Sequence, residues 1–549
     1  MHDNKLISAA VVLVVASVAW FIPAPEGLCR TSLDAGIAAR ANSIAFDAKK
    51  ELRVGQVAEA RSAWVSNPTL SDLQDADSTP GVGDFSSEQL MALAAAERSV
   101  RGENSEQTAR ELGQRSWRLF VIFAAAILLI LLNTMPIFTA SLVALSIAIV
   151  TGTLTPTAGY SGFSKGFIIV IVAAFTIAIG VSKSGLGQRI AWLIISRFGS
   201  SSLGLGYSLI MTDLVISPAF PSNTARSGVL FPVMDAVARG RGSEPGSSTR
   251  KKLGAFLAMN SVLGLSLSSA MWMTAMAANP PGAELAGNII GSSITFAMWA
   301  KASCVPTLFA FFTVPVVLYF AFRPELRSTP EAPQAAREAL EKMGAMSLKE
   351  KTTAWVFAVL VGLWATKSLH GIDVAAVAIA GLAILMLTKV ITLSDVRGSS
   401  GPITFVWFAS LYTLSTYLDN YGFMQWIGES VAGQITGLSW PSVYVLLVVA
   451  YVLIHYFFVS QTAHMFAVMP IFLTVGVAAG VPGTLLAMML LLATNFFSPI
   501  TPQASSANAI FVGSGYLTMG EVYRYGGLVT LLSTIVYLTV GTAWLRYIL

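Results

Sequence analysis

Residues 222–226 of the chain read Ser-Asn-Thr-Ala-Arg, and residues 460–464 read Ser-Gln-Thr-Ala-His. A proline follows each of the two serines after ten residues, at Pro232 and Pro470. Both pentapeptides interrupt long apolar stretches. Two polar segments of matched sequence and spacing predict a duplicated structure. We predict that each segment is the tip of a re-entrant hairpin, which enters a membrane and returns on the same side.

Each predicted tip is followed by a second polar break inside an otherwise apolar span. The first break runs from Thr274 to Asn279 and the second from Thr501 to Asn508, both through mostly small residues. Lipid cannot satisfy the hydrogen bonds of non-helical backbone, so such breaks must be buried in protein or line a wet cavity. Interrupted helices in corresponding positions of two halves indicate the binding site of a secondary transporter.

The composition agrees with a membrane protein. Of 549 residues, 54% are hydrophobic and only 11% are charged, whereas soluble domains carry about 25% charged residues. The lipid bilayer is therefore the expected solvent. The net charge of +5 does not indicate nucleic acid as a partner, because the basic residues lie in short loops between apolar spans. Two cysteines and four histidines argue against a disulfide framework and against a metalloenzyme.

Apolar runs of roughly 17–25 residues predict an all-α polytopic membrane protein. The predicted hairpins occupy 203–236 and 441–478. Eleven further runs are predicted to cross the bilayer: 6–23, 118–134, 137–154, 166–184, 252–277, 302–322, 353–368, 371–391, 402–418, 483–497 and 524–547. An odd number of crossings separates the two hairpins, so the two repeats are predicted to be inverted.

Basic loops predict the orientation. Arg189 and Arg197, the cluster at 239–252 and the linker at 323–352 should all be cytoplasmic. The N-terminus is then cytoplasmic, and the C-terminus lies on the other side. The first span lacks a convincing cleavage site, so it is predicted to be a retained anchor and not a signal peptide.

The chain is accordingly divided into five segments. The predicted segments are an N-terminal anchor at 1–27, a polar extracytoplasmic insert at 28–116 with helical segments around a loop, a first inverted repeat at 117–322, a cytoplasmic linker at 323–352, and a second inverted repeat at 353–549. Each repeat contains one hairpin and one broken span.

Arg226 and His464 occupy the same position in the two tips. Cations inside a membrane are costly and usually functional, so both are candidate substrate-binding residues. Two structural alternatives are that Arg226 pairs with a buried partner such as Asp213, and that a backbone carbonyl satisfies His464. Hydroxyls in membrane helices also commonly bond to backbone carbonyls, but two matched tips favour function. His455 is interpreted as a packing residue.

At these positions the chain resembles the divalent-anion:sodium symporter superfamily. More narrowly, it looks like the branch of plastid 2-oxoglutarate/malate translocators and bacterial citrate/succinate and tartrate/succinate antiporters. The stretches that carry the resemblance are 20–27, 162–164, 212–213, 221–226, 274–280, 460–464 and 509–516. The sequence departs from this branch in the insert at 28–116 and in the stretch 501–506.

The resemblance implies a homodimeric, elevator-type transporter of small dicarboxylates, in a bacterial inner membrane. The tips and breaks are predicted to bind the substrate, since helix N-termini favour carboxylates. The predicted substrate-binding residues are Ser222, Asn223, Thr224, Arg226, Thr274, Asn279, Ser460, Gln461, Thr462, His464, Thr501, Pro502, Ser505 and Asn508. Malate, succinate, 2-oxoglutarate, citrate and tartrate are the expected substrates.

The two tip cations favour exchange over sodium symport. A dicarboxylate brings about two negative charges into a low-dielectric site, and these charges must be compensated. A fixed cation cannot leave, so an empty carrier would move an uncompensated charge across the bilayer. A carboxylate beside His464 would help to keep it charged. No cofactor is expected. In the alternative, a sodium-coupled symporter, sodium would bind near Asn223, Asn279, Gln461 and Asn508.

Two classes other than transporters are also weighed. A membrane-embedded hydrolase would use the tip serines with His464 and Asp213, but the sequence has no third group at a readable spacing. A dicarboxylate sensor would use the insert at 28–116, which lacks the apolar content of a sizeable binding domain. The sequence therefore predicts a transporter and not an enzyme.

Overall fold

A computed structural model describes residues 2–44, 105–435 and 437–549. Every regular element within these ranges is a helix, which confirms the predicted all-α class. The central part of the predicted insert, residues 45–104, lies outside the described residues. The chain divides into two compact units, which are described separately.

The first unit contains Met1–Gly162, Ser410–Leu438 and Thr474–Ala479. Its described helices are His2–Phe21, Glu26–Ile44, Ser105–Leu131, Ile137–Val150, Pro156–Tyr160, the part of Gly401–Asn420 from Ser410 onward, and Phe423–Ala432. Pro23 and Pro25 separate the first two helices, because proline lacks the N–H that a continuous helix needs. The two helices are bent by 77° at this break.

Helix Glu26–Ile44 packs closely on helix Ser105–Leu131. A side chain at Gly113 would place its Cβ only 2.6 Å from the sulfur of Cys29, so a glycine is required at this crossing. On the same face, the indole of Trp117 donates a hydrogen bond to the carbonyl of Ala19 at 2.9 Å. The beginning of the predicted insert is therefore a packed part of this unit.

The second unit contains Phe163–Ala409, Ser439–Leu473 and Gly480–Leu549. Its helices before residue 400 are Gly166–Ser184, Leu186–Phe198, Ser202–Ile216, Asn223–Arg239, Gly254–Met271, Asn279–Ile290, Phe296–Phe322, Ala332–Met343, Leu348–Ala365, Lys367–His370, Val374–Leu387 and Leu393–Gly398. Its later helices are the first part of Gly401–Asn420, Trp440–Ile454, Gln461–Ala478 up to Leu473, Gly483–Phe496, Ser506–Gly513 and Met519–Ile548.

Two helices form the centre of the second unit. Every residue of Gly254–Met271 is buried, and so are all the residues of Gly483–Phe496 from Leu485 onward. A helix that is buried on all sides packs against protein on every face. The polar breaks that follow these two helices therefore lie inside protein, where their backbone groups can find partners.

By length and composition, eight described helices can cross a membrane, or nine if the bent N-terminal pair counts as one span. Predicted spans at 118–134, 166–184, 252–277, 302–322 and 524–547 coincide with such helices. Three more predicted spans contain shorter apolar helices, Ile137–Val150, Val374–Leu387 and Gly483–Phe496. The count of eleven crossings stays a prediction.

The linker at 323–352 is folded onto the second unit. Nε and Nη2 of Arg189 donate to the carboxylate of Glu350 at 2.6 and 3.2 Å, and Nη1 donates to the carbonyl of Gly344 at 2.9 Å. Glu350 also completes a capping box with Ser347 at the start of helix Leu348–Ala365. The hydrogen bond from Arg189 is the main reason that the pKa of Glu350 lies below its ordinary value.

Candidate functional site

The first tip lies between helices Ser202–Ile216 and Asn223–Arg239. A short 3₁₀ turn at Ser217–Ala219 ends the incoming helix. Ser222 then caps the outgoing helix, since its hydroxyl accepts a hydrogen bond from the backbone N–H of Ala225 at 3.2 Å. The outgoing helix, Asn223–Arg239, is called the first tip helix below.

An ion pair shows that the chain reverses at this tip. Asp213 and Arg226 are 13 residues apart, and Nη1 of Arg226 lies 2.7 Å from Oδ2 of Asp213. In a continuous helix, 13 residues would separate the two Cα atoms by about 20 Å along the axis. Contact between them therefore requires a hairpin.

The guanidinium of Arg226 is enclosed by oxygen atoms and is fully buried. Beyond Asp213, its two terminal nitrogens donate to Ser268 Oγ at 2.5 Å, Asn223 Oδ1 at 2.5 Å, the carbonyl of Leu265 at 3.4 Å and Ser269 Oγ. We call these five oxygen partners the oxygen cradle. Because Asp213 compensates its charge, Arg226 is not an unpaired cation. The ion pair is the structural alternative that the sequence left open.

The second tip repeats the chain reversal of the first. Helix Trp440–Ile454 ends in a 3₁₀ turn at His455–Phe457, and the second tip helix is Gln461–Ala478. The hydroxyl of Ser460 accepts from the N–H of Ala463 at 3.3 Å, as Ser222 does in the first tip. The rings of Tyr451 and His464, again 13 residues apart in sequence, lie 4.4 Å apart.

His464 contacts another histidine, His455, whereas a neighbouring carboxylate would have helped to keep it charged. Its Nδ1 lies 3.0 Å from Nδ1 of His455, and Nε2 of His455 lies 3.1 Å from the carbonyl oxygen of Ala504. The rings of Tyr451, Phe458 and Phe497 surround the His464 imidazole. His455, interpreted from the sequence as packing, is therefore part of the polar centre of this tip.

The two breaks are held by asparagines in matching ways. Nδ2 of Asn279 donates to the carbonyls of Ser269 and Trp272 at 3.0 and 3.3 Å. Nδ2 of Asn508 donates to the carbonyls of Ser498 and Thr501 at 2.8 and 3.0 Å. In both cases the acceptors lie 10 and 7 residues before the asparagine. Each asparagine thus satisfies carbonyls that the break releases from the helix.

Side chains from both halves of the sequence meet within the second unit. Nδ2 of Asn223 donates to Oε1 of Gln461 at 3.3 Å, so the two tips touch. Nδ2 of Asn495 donates to Oδ1 of Asn279 at 2.9 Å, which links the broken spans. The hydroxyls of Thr224 and Ser506 are 2.7 Å apart. Asn495 and Ser506 are absent from the sequence-based site: Asn495 precedes its break, and Ser506 lies within the second break but is not among the predicted residues.

The predicted substrate-binding residues differ in accessibility. Thr224 is exposed, and three others are partly exposed: Ser222, Ser460 and Thr462. Gln503 and Ser506, which are not in the predicted set, are exposed as well. The remaining predicted residues are buried: Asn223, Arg226, Thr274, Asn279, Gln461, His464, Thr501, Pro502, Ser505 and Asn508. The exposed and partly exposed hydroxyls are accessible to solvent, so a ligand could reach them. The buried residues hold these hydroxyls in place, and their roles in binding stay predictions.

The positions predicted for sodium are largely occupied by protein contacts. Oδ1 of Asn223 accepts from Arg226, Oδ1 of Asn279 accepts from Asn495, and Oε1 of Gln461 accepts from Asn223. Within the described ranges, no group of three or more His, Cys, Asp or Glu residues could hold a metal ion.

Comparison with known proteins places this site in a family. Residues 108–549 match the family described as the sodium:sulfate symporter transmembrane region. Dicarboxylate transporter 1, chloroplastic, of Spinacia oleracea is 37% identical over 80% of this chain and 78% of its own length. The putative malate transporter YflS of Bacillus subtilis is 38% identical over 79% of this chain and 91% of its own length. Inner membrane protein YbhI of Escherichia coli is 30% identical over 79% of this chain and 92% of its own length.

Solved structures support the fold. The YdaH transporter of Alcanivorax borkumensis matches 78% of this chain and 98% of its own with a TM-score of 0.52 at 14% identity. MtrF of Neisseria gonorrhoeae matches 73% of this chain and 84% of its own with a TM-score of 0.50 at 14% identity. From the family match and the relatives, the chain belongs to the divalent-anion:sodium symporter superfamily, and it is an integral membrane transporter and not an enzyme.

Proposed function

We propose that the chain exchanges C4 and C5 dicarboxylates, such as malate, succinate and 2-oxoglutarate, without sodium. Citrate and tartrate extend the proposed range. The relatives named as dicarboxylate and malate transporters support this substrate class. The oxygen cradle around Arg226 is the observation that carries the independence from sodium.

Sodium binds oxygen atoms, and the cradle is a cluster of such atoms with one carboxylate. In this chain the guanidinium of Arg226 fills it, with donors directed to all five oxygens. A covalently attached cation cannot dissociate with the substrate. At the second tip, the amide oxygen of Gln461 is engaged by Asn223, and the polar centre is an imidazole pair. Imidazole nitrogens are poor ligands for a hard cation.

Charge balance then favours exchange. Because Asp213 compensates Arg226, the first tip adds no net charge to a bound dicarboxylate. A dianion that crosses the membrane alone moves its full charge through a low-dielectric region. A second dianion that crosses in the opposite direction cancels this charge movement. Exchange therefore needs neither a sodium ion nor any other cofactor.

The matched contacts of the two halves also support the proposed architecture. Capping serines, chain reversals 13 residues long and break-holding asparagines occur at corresponding positions of both halves. We therefore keep two inverted repeats, eleven spans, elevator movement and a homodimer as parts of the proposal. The inner membrane, with a cytoplasmic N-terminus, is the proposed location, and the name of the relative YbhI supports it.

Uptake into liposomes tests the exchange directly. The purified protein is reconstituted, and entry of labelled 2-oxoglutarate is followed with malate or nothing inside, in sodium or choline buffer. Uptake that requires internal malate and ignores sodium is expected. Uptake into empty vesicles that requires external sodium would identify a sodium-coupled symporter. Sodium-independent uptake into empty vesicles would also contradict exchange.

A further inference from the structure

The imidazole pair of His455 and His464 has a defined hydrogen-bond polarity. The carbonyl of Ala504 can only accept, so Nε2 of His455 carries a proton and donates to it at 3.1 Å. In a neutral His455, Nδ1 is then an acceptor, and the proton between the rings belongs to Nδ1 of His464, 3.0 Å away. This network assigns the tautomers of both rings.

The assignment leaves one nitrogen unused. Nε2 of His464 carries a lone pair, is buried and has no hydrogen-bond partner among the described residues. His464 itself is fully buried among the rings of Tyr451, Phe458 and Phe497. A buried acceptor without a donor is costly. A proton is the smallest ligand that this nitrogen can accept.

We propose that the His455–His464 pair is a proton-binding site, which takes up one proton when a dicarboxylate binds and releases it when the dicarboxylate leaves. The proton binds to the lone pair of His464 Nε2 and converts the neutral pair to a shared imidazolium. The bond from His464 Nδ1 to His455 is retained, and so is the bond from His455 to Ala504.

The position of His464 explains why binding and protonation are coupled. Ser460 caps the second tip helix, and His464 lies four residues further along it, about 6 Å along the axis. A carboxylate at the partly exposed hydroxyls of Ser460 and Thr462 is then close enough to stabilise a positive charge on the imidazole. Without the carboxylate, the same charge would be buried without a counter-ion.

Among the residues that the structure describes, no titratable side chain in ring contact with His464 provides that counter-ion. The titratable side chains whose rings contact His464 are Tyr451 and His455. The hydroxyl of Tyr451 is engaged with Thr494 at 2.8 Å. The buried carboxylate of Asp213 belongs to the first tip, where it is paired with Arg226. The substrate is thus the anion that the imidazolium needs.

This inference rests on the proposed function, because the ligand that triggers proton uptake is a dicarboxylate. It is compatible with exchange, since every dicarboxylate carries one proton in each direction and a complete exchange cycle leaves the pH unchanged. Proton uptake must therefore be measured in the binding step and not in the overall transport.

Calorimetry on the full-length protein tests the proposal without a mutation. 2-Oxoglutarate is titrated at about pH 7 in two buffers of different ionisation enthalpy. Both of its carboxyl groups are ionised at this pH, so it binds as a dianion. The difference in heat gives the number of protons bound with the ligand, and about one proton per dicarboxylate is expected. The Kd should rise about tenfold for each unit by which pH increases. Tight binding with no proton uptake would overturn the proposal and leave dicarboxylate transport intact.

Variants locate the proton. In His464→Gln and His455→Gln, proton uptake should disappear, even where 2-oxoglutarate still binds. The matched control is His370→Gln, because His370 lies outside the tips and contacts the carbonyl of Leu363 at 2.9 Å. This control should keep the proton uptake of the natural sequence. Proton uptake by His464→Gln equal to that of the natural sequence would exclude the pair as the site. If the natural sequence itself binds no dicarboxylate, the proposed function is overturned as well.

Discussion

The side-chain amide of Asn223 donates a hydrogen bond to Oε1 of Gln461 at 3.3 Å, which joins equivalent positions of the two tips. Both residues immediately follow the serine that caps their tip helix. Oδ1 of Asn223 also accepts hydrogen bonds from Arg226 and Ser269, while Nε2 of Gln461 donates to the carbonyl of Thr494. One hydrogen bond therefore connects the oxygen cradle of the first tip to Gln461, which is bonded to the backbone of helix Gly483–Phe496.

This contact predicts energetic coupling between the tips. Asn223→Ala and Gln461→Ala should each weaken 2-oxoglutarate binding, and the double variant should weaken it by less than the sum. A coupling of about 0.5–1.5 kcal/mol is expected for one buried hydrogen bond. The Kd of all four proteins gives the coupling. Tyr444→Phe with Thr542→Val is the control, because their 2.8 Å hydrogen bond lies away from the tips. Strict additivity at the tips would show that their contact is not used.

The two break-holding asparagines predict matched losses of stability. Asn279→Ala and Asn508→Ala each remove two hydrogen bonds to carbonyls of a break. Trp272 and Thr501 keep a backbone donor, whereas the buried carbonyls of Ser269 and Ser498 lose theirs. An unsatisfied buried group costs about 1–3 kcal/mol, so both variants should unfold at clearly lower temperatures and lose transport. Thermal unfolding in detergent and vesicle uptake measure the two effects. In Asn260→Ala, which removes a bond to the carbonyl of Gly206, stability should fall while the KM for dicarboxylate is unchanged. Unchanged unfolding temperatures and normal uptake in both break variants would contradict the prediction.

The tips and breaks could be predicted from the sequence because their polar residues interrupt apolar runs. Matched spacing between the serines and prolines then showed that the tips correspond. The sequence allows two interpretations of Arg226, as a substrate-binding residue or as the partner of Asp213, since a sequence does not show where a hairpin reverses. The contact of His455 with His464 could not be predicted, because an isolated histidine near aromatic residues is usually interpreted as a packing residue. The spacing of 13 residues, which relates Asp213 to Arg226 and Tyr451 to His464, is a signal that aligns the polar centres of the two tips.

Other partners could not be predicted at all. Ser268 and Ser269 lie in a fully buried apolar helix, and only the packed structure brings them to Arg226. Asn495 is similar, since its bond to Asn279 joins residues that are 216 positions apart. Such long-range contacts depend on how the helices pack, which hydrophobic periodicity does not specify. The number of membrane crossings is open for the same reason, because several apolar helices are short.

The linker contact predicts a response to acid. Arg189 lowers the pKa of Glu350, so the contact stabilises the fold above the ordinary carboxylate pKa of about 4.3, and this stabilisation is lost as pH falls through the lowered value. Limited proteolysis of the linker should therefore be slow between about pH 7 and 5 and faster in more acidic buffer. Glu350→Gln should be cleaved faster at neutral pH, whereas Glu338→Gln, an exposed change in the same linker, should not. Equal cleavage of all three proteins would contradict this account.

The exposed hydroxyl pair predicts a binding defect without a folding defect. Thr224 and Ser506 are both exposed and lie 2.7 Å apart. Thr224→Val and Ser506→Ala should raise the KM for 2-oxoglutarate by about tenfold, since a hydrogen bond to a charged group contributes about 1.5–3 kcal/mol. The melting temperature should change little, as for most exposed substitutions. Ser146→Ala removes an exposed hydroxyl that bonds only to its own helix and serves as the control. An unchanged KM in both variants would exclude the pair from the binding surface.

The oxygen cradle predicts that removal of its guanidinium creates sodium sensitivity. In Arg226→Ala, the carboxylate of Asp213 and the oxygens of Asn223, Ser268 and Ser269 lose their cation. A buried unpaired carboxylate is destabilising by about 3–5 kcal/mol, so a small cation that enters the cradle should restore part of this stability. Sodium at ten times its Kd would contribute about 1.4 kcal/mol. Thermal unfolding is measured in sodium chloride and in choline chloride of equal ionic strength. The unfolding temperature of Arg226→Ala should be higher in sodium chloride, whereas that of the natural sequence should be the same in both salts. The double variant Arg226→Ala with Asp213→Asn lacks the carboxylate and should lose most of the response. If sodium stabilises the natural sequence as strongly as it stabilises Arg226→Ala, the guanidinium does not occupy a cation site and the proposal of sodium-independent exchange fails.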